Sequence, residues 1–177
     1  ANSADGVLVA ANTSSDAATK TETSTIQEAD IWKSDGSTVY FFNQLRGLQV
    51  LDLSDPSKPS LVAKLRLPEV GQDLYILPGG DGNTHAVLLA RKSGSWDSSE
   101  IHLVRISGNE ASIVGSIEII GMPSDSRIKG NRLFVATQTW KDYSKYGSGR
   151  ALLSEVSIDT AAGKLSLENS LEFAADS

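Results

Sequence analysis

The sequence predicts an all-β chain, a β-propeller fragment of about three four-stranded antiparallel blades, and three observations lead there. Short apolar runs are separated by clusters of Gly, Ser, Asp and Asn, with fifteen glycines among 177 residues and no helical periodicity. Runs with strand spelling recur at a near-constant period. Each recurrence holds four such runs, which is the make-up of one propeller blade.

In chain order, residues 1–27 form an arm. Its Gly6–Ala11 run offers an extra edge strand, and the Ser/Thr/Asp/Ala-rich tract from Asn12 to Thr25 has too few large apolar residues to bury much. The first unit, 28–69, opens with Asp30-Ile-Trp-Lys33, turns at Ser34-Asp-Gly36 and continues into the apolar run Val39–Phe42. Leu48, Val50, Leu51 and Leu53 then make a strand that stops where Ser54-Asp55-Pro56 begins. Asp55 can accept a backbone N–H two residues on, while Pro56 and Pro59 fix φ and cannot donate to a ladder. The chain therefore leaves the sheet there and re-enters at Ser60, and Leu61–Leu67 alternates apolar with charged residues at its end.

Units 70–122 and 123–177 repeat that order. The third strand ends at Leu53, Ile106 and Ile158, offsets of 53 and 52 residues, and the fourth at Leu67, Ile119 and Phe173, offsets of 52 and 54. Asp73-Leu-Tyr-Ile76 and Asp125-Ser-Arg-Ile128 open the later units as Asp30 opens the first. Three blades do not close a ring, since propellers have about four to eight. The expectation is a fragment of a longer propeller, or a chain that self-associates to cover the apolar flanks of its terminal blades.

Composition excludes several classes of partner. A net charge of −6 and a pI near 4.9 leave no basic stripe for nucleic acid. No apolar run reaches the roughly 20 residues of a membrane-spanning helix, so membrane insertion is not expected. Without cysteine there is neither a disulfide nor a thiolate metal site. The chain starts at Ala1, without Met, and reads as a mature or trimmed form whose targeting segment lies outside it.

Ile26–Phe42, with its Glu-Ala-Asp-Ile-x-Lys-x-Asp-Gly run, resembles the opening motif of secreted bacterial and archaeal proteins with a β-propeller domain. Gly47–Val62 resembles the LVIVD-type propeller repeat, with its Asp-x-Ser-Asp-Pro-x-x-Pro turn. The resemblance covers residues 26–68 closely, and the later units follow it only in pattern because they lack the Ser-Asp-Pro turn. It implies a secreted or cell-envelope propeller and carries over no catalytic residue.

Three groups of residues are candidates for function. Asp30, Asp73 and Asp125 occupy equivalent places, and a ring of carboxylates at the channel mouth could hold Ca²⁺. The competing reading, favoured by their recurrence in every unit, is that each bonds to local backbone N–H groups and fixes a turn. No other cofactor is expected. His85 and His102 lie on the second and third strands of the middle unit without a nucleophile or third ligand beside them, and read as pleat-surface residues. The connection between second and third strands is the least repeated part: short at Asn43–Arg46, long at 91–99 and 138–150. It brings Arg91, Trp96, Trp140, Lys141, Tyr143, Tyr146 and Arg150 to one rim, residue types that make contact surfaces and stack on sugars. In the competing reading Trp96 and Trp140 fold back over the blade edge. The functional expectation is a non-enzymatic scaffold, or a binder of protein or polysaccharide through these connections. The alternative is part of a hydrolase or lyase whose site needs further blades.

Overall fold

The computed structural model describes residues 26–28, 30–79, 82–95, 97–140 and 149–174, and every regular element among them is a strand. After β1 (Ile26–Glu28), strands β2 (Trp32–Asp35), β3 (Thr38–Asn43), β4 (Gly47–Asp52) and β5 (Ser60–Leu65) form the first sheet. The second consists of β6 (Val70–Pro78), β7 (Thr84–Arg91), β8 (Ser98–Ser107) and β9 (Glu110–Ile120). The third contains β10 (Met122–Lys129), β11 (Arg132–Trp140), β12 (Gly149–Asp159) and β13 (Lys164–Ala174). Strands sit side by side in chain order, so each sheet is an antiparallel meander, the form of a propeller blade.

Local chemistry accounts for the first blade. Asp52 Oδ1 accepts from Ser54 N at 2.8 Å and Asp55 Oδ1 from Ser57 N at 3.0 Å, two successive side-chain-closed turns that carry the chain past Pro56 and Pro59. The chain re-enters the sheet at Ser60, paired with Asp52. At the other end Gly47 has φ +71°, and a Cβ there would lie 2.1 Å from the Leu65 carbonyl oxygen, so only glycine fits.

The repeat extends to irregularities. A register shift separates Val50 from Leu51, Leu103 from Val104 and Glu155 from Val156, each between the third and fourth strands of its blade. A second shift, between the first two strands, falls just before Asp73 and just before Asp125. Bulges bend a strand and re-aim the side chains beside them, and these two set the direction of both aspartates.

Two apolar seams join the blades. Tyr40, Phe42, Leu48 and Val50 of blade 1 pack against Leu74, Leu88 and Val104 of blade 2. Tyr75, Val87, Leu89, Ile101 and Leu103 of blade 2 pack against Ile128, Leu133, Val135 and Val156 of blade 3. Blade 2 is thus covered on both faces, and its second strand is buried from His85 to Ala90. That corrects the reading of His85 and His102 as pleat-surface residues: they are 1% and 3% exposed, because the middle strands of a blade with a neighbour on each side are covered on both faces. The outward faces of the end blades carry the large exposed apolar residues Trp32 and Leu61 on blade 1, and Leu153, Leu171 and Phe173 on blade 3.

The sequence places Ile26 and Gln27 in the arm, whereas they begin a fifth strand on blade 3. β1 runs antiparallel to β10, with Ile26 opposite Lys129 and Glu28 opposite Arg127. Leu74 N then donates to Asp30 O and Phe42 N to Ile31 O, both at 2.8 Å. Residues 26–28 and Asp30 therefore pair with the inner strands of blades 3 and 2, supplying partners to backbone groups that an inner strand otherwise leaves open, and Ile31 extends the β2–β3 ladder of blade 1 by one rung. The Gly6–Ala11 run lies outside the described residues.

Candidate functional site

The registers bring one end of the blades together as a single face. Val70, at the start of β6, pairs with Arg91, and Met122, at the start of β10, pairs with Gln138. The inner strands of blades 2 and 3 thus begin where the second strands run out into their connections. Between these starts lies a polar cleft of about 500 Å³, lined by Glu28, Gly71, Asp73, Ser124, Asp125 and Arg127. Gly71 holds the floor close to blade 1, since a Cβ there would stand 2.8 Å from the Phe42 ring.

A chain of hydroxyls crosses from blade 2 to blade 3 below the cleft. Ser126 Oγ donates to Asp73 Oδ2, so its 2.7 Å bond with Tyr75 is donated by the tyrosine hydroxyl. Burial penalises the charged form of Asp73 and raises its pKa; the hydrogen bond from Ser126 opposes this, and the Asp125 and Asp30 charges add to it. Burial likewise pushes Tyr75 up to about 12. Asp73 is thus a carboxyl that keeps its proton to a higher pH than usual, hydrogen-bonded within a polar cleft.

Its two counterparts differ. Asp125 Oδ1 accepts from Ser126 N at 2.8 Å and from the Arg127 guanidinium, which also lies 3.7 Å from Glu28. Asp30 Oδ1 accepts from Ile31 N at 2.7 Å, and the residue precedes β2 instead of lying inside a strand. The structure joins Asp73 and Asp125 in one cleft, while Asp30 acts on Asp73 only through its charge. Arg127, set between Asp125 and Glu28, balances part of the negative charge there.

The connections at this end are unequal. In blade 1 three residues suffice, with Asn43 Oδ1 accepting from Leu45 N and Arg46 N at 2.9 and 2.8 Å. In blade 2, Lys92 N donates to Ser98 O at 3.3 Å, and the Lys92 ammonium bonds Glu118 at 2.9 Å, which raises the lysine's pKa and lowers that of the glutamate. In blade 3 the connection spans 141–148 between Trp140 and Gly149, which pair across the ladder.

A family model described as "Beta propeller domain" matches residues 17–164, most of the chain. The chain belongs to that β-propeller domain family. No curated protein and no solved structure matches it. Of the rim residues proposed from the sequence, the propeller places Arg91 half-buried at the end of β7, facing blade 3 as Leu89 does. Arg150 sits in β12 and is ion-paired with Glu172. Trp140 ends β11, and Trp96, Lys141, Tyr143 and Tyr146 lie outside the described residues. Sequence reasoning missed Ser126, Tyr75, Glu28 and Arg127. The signal available for Ser126 and Tyr75 was a polar group inside each inner-strand run; what joins them is the docking of two blades, which no local pattern encodes.

Proposed function

We propose that this chain is a non-enzymatic segment of a secreted or cell-surface propeller that binds a protein or polysaccharide through the connections at its loop-bearing end. The observation that carries the reading is the inequality of one connection among otherwise repeated blades. It is three residues in blade 1 and longer in blades 2 and 3, where it leaves the same end of the blades that holds the polar cleft. Loops set on a rigid scaffold vary without disturbing it, and binding surfaces are commonly built there. The long connections hold Trp and Tyr, rigid and amphipathic contact residues, and the neighbouring cleft offers carboxylates and a guanidinium to hydroxyl or cationic groups. The exported setting and the LVIVD-type assignment rest on the spelling of Ile26–Phe42 and Gly47–Val62. Glycan-array and pull-down binding, measured for the parent chain and for Trp140→Ala, Tyr143→Ala and Tyr146→Ala, tests the proposal. Loss of binding with an unchanged melting temperature is expected. Variants that unfold instead would mean the aromatic residues cover the blade edges.

A further inference from the structure

Where the chain passes from blade 1 to blade 2, Glu69 meets two side chains of β8. Glu100 and His102 are two residues apart on that strand, so they share the face whose further members, Val104 and Ile106, are buried against blade 1. The His102 side chain is 4% exposed, and its Nε2 stands 3.5 Å from Glu69 Oε2. Both atoms are shut off from water, and neither has a hydrogen-bond partner. Buried polar atoms are nearly always satisfied, so an unpartnered imidazole nitrogen facing an unpartnered carboxylate oxygen calls for a third party. One donor atom from each of Glu69, Glu100 and His102 falls within 4.8 Å of the others.

We propose that Glu69, Glu100 and His102 bind a divalent transition-metal ion, zinc in preference to the harder Ca²⁺ and Mg²⁺. Imidazole with carboxylates is a donor set suited to zinc, whereas calcium and magnesium take oxygen ligands. With metal–ligand bonds of about 2.0–2.2 Å, tetrahedral ligand atoms stand roughly 3.3–3.6 Å apart, which the His102–Glu69 separation already matches. His102 Nδ1 lies 2.7 Å from Ser116 Oγ. With Nδ1–H donating to that hydroxyl, the Nε2 lone pair faces the carboxylates, the outer-shell arrangement that orients a ligating histidine. Lys92 does not supply the missing cation, since its ammonium is bonded to Glu118 at 2.9 Å. The ion ties the connection between blades 1 and 2 to the third strand of blade 2, and three protein donors leave a fourth position for water. The site stands on this geometry alone and is independent of binding through the loops.

The test uses the full chain, stripped with EDTA and titrated with zinc chloride alone by calorimetry, with melting followed in parallel. One Zn²⁺ per chain and a melting temperature that rises with zinc are expected. Glu69→Gln and Glu100→Gln should keep the parent circular dichroism and weaken zinc binding at least tenfold. These two carry the test because a substitution at the buried His102 can itself disturb folding. Three results would each overturn the proposal: no zinc binding by the parent chain, as for a plain His102–Glu69 ion pair; zinc binding unchanged in both glutamine variants; or binding lost in Asp73→Asn, which would move the ion to the cleft.

Discussion

Replacing Ser126 with alanine probes the polar link between blades 2 and 3. Ser126 is 2% exposed, takes a hydrogen bond from Tyr75, which is 0% exposed, and passes one on to Asp73. The substitution removes a single oxygen from a contact between two buried side chains, leaving the tyrosine hydroxyl without the partner it has there. An orphaned buried hydroxyl costs about 1–3 kcal/mol, and the lost bond to the partly solvated carboxyl adds to that, for a total of about 2–4 kcal/mol. In a chain of this size that lowers the melting temperature by roughly 5–15 °C. Tyr75→Phe removes the hydroxyl and its need for a partner together, and should cost only about 0.5–1.5 kcal/mol. On the Tyr75→Phe background, Ser126→Ala should then cost less than on the parent, by about 1 kcal/mol or more. Urea unfolding of the four proteins measures the cycle. If Ser126→Ala costs no more than Tyr75→Phe and the two effects add, the hydroxyl chain does not join the blades as described.

Asp73→Asn tests the electrostatics of the same cleft. A carboxyl whose folded pKa is raised above the ordinary 3.8 contributes stability that is full below that value and is lost as pH rises through the folded pKa. The stability of Asp73→Asn relative to the parent should therefore grow from about pH 3.8 upward and level off once folded Asp73 has ionised; a pH-independent difference in urea midpoints contradicts this. Gly71→Ala places a methyl 2.8 Å from the buried Phe42 ring and should destabilise by about 1–3 kcal/mol, a loss that Phe42→Leu partly restores. The apolar outer faces of blades 1 and 3 predict concentration-dependent self-association in light scattering, reduced by Leu171→Glu with Phe173→Glu. A chain that stays monomeric at every concentration contradicts this.

Much of the fold was legible because it is written locally. Alternating residues at Leu61–Leu67 and the Asp55-Pro56 turn each fix a strand or a turn within a few residues, and the repeat of the strands multiplies the signal by three. What was not legible depends on which blades meet. His85 and His102 carry no mark of burial in their own strands; their burial follows from blade 2 having a neighbour on both sides. β1 pairs with residues about a hundred positions away, from a stretch whose composition resembles a linker. The aspartates were found from their recurrence, but their different roles come from surroundings that do not repeat: Ser126 beneath Asp73, Arg127 beside Asp125, and at Asp30 the backbone N–H of Ile31 beside a bridge to Leu74.

The division between a repeated scaffold and unrepeated connections is tested most directly by replacing 141–148 with the three-residue turn Gln44-Leu45-Arg46 of blade 1. Melting temperature and ligand binding are measured on the same sample. The prediction is a melting temperature within a few degrees of the parent, because Trp140 and Gly149 already pair across the ladder, together with loss of binding to protein or glycan. A grafted chain that unfolds, or one that folds and binds as the parent does, contradicts it.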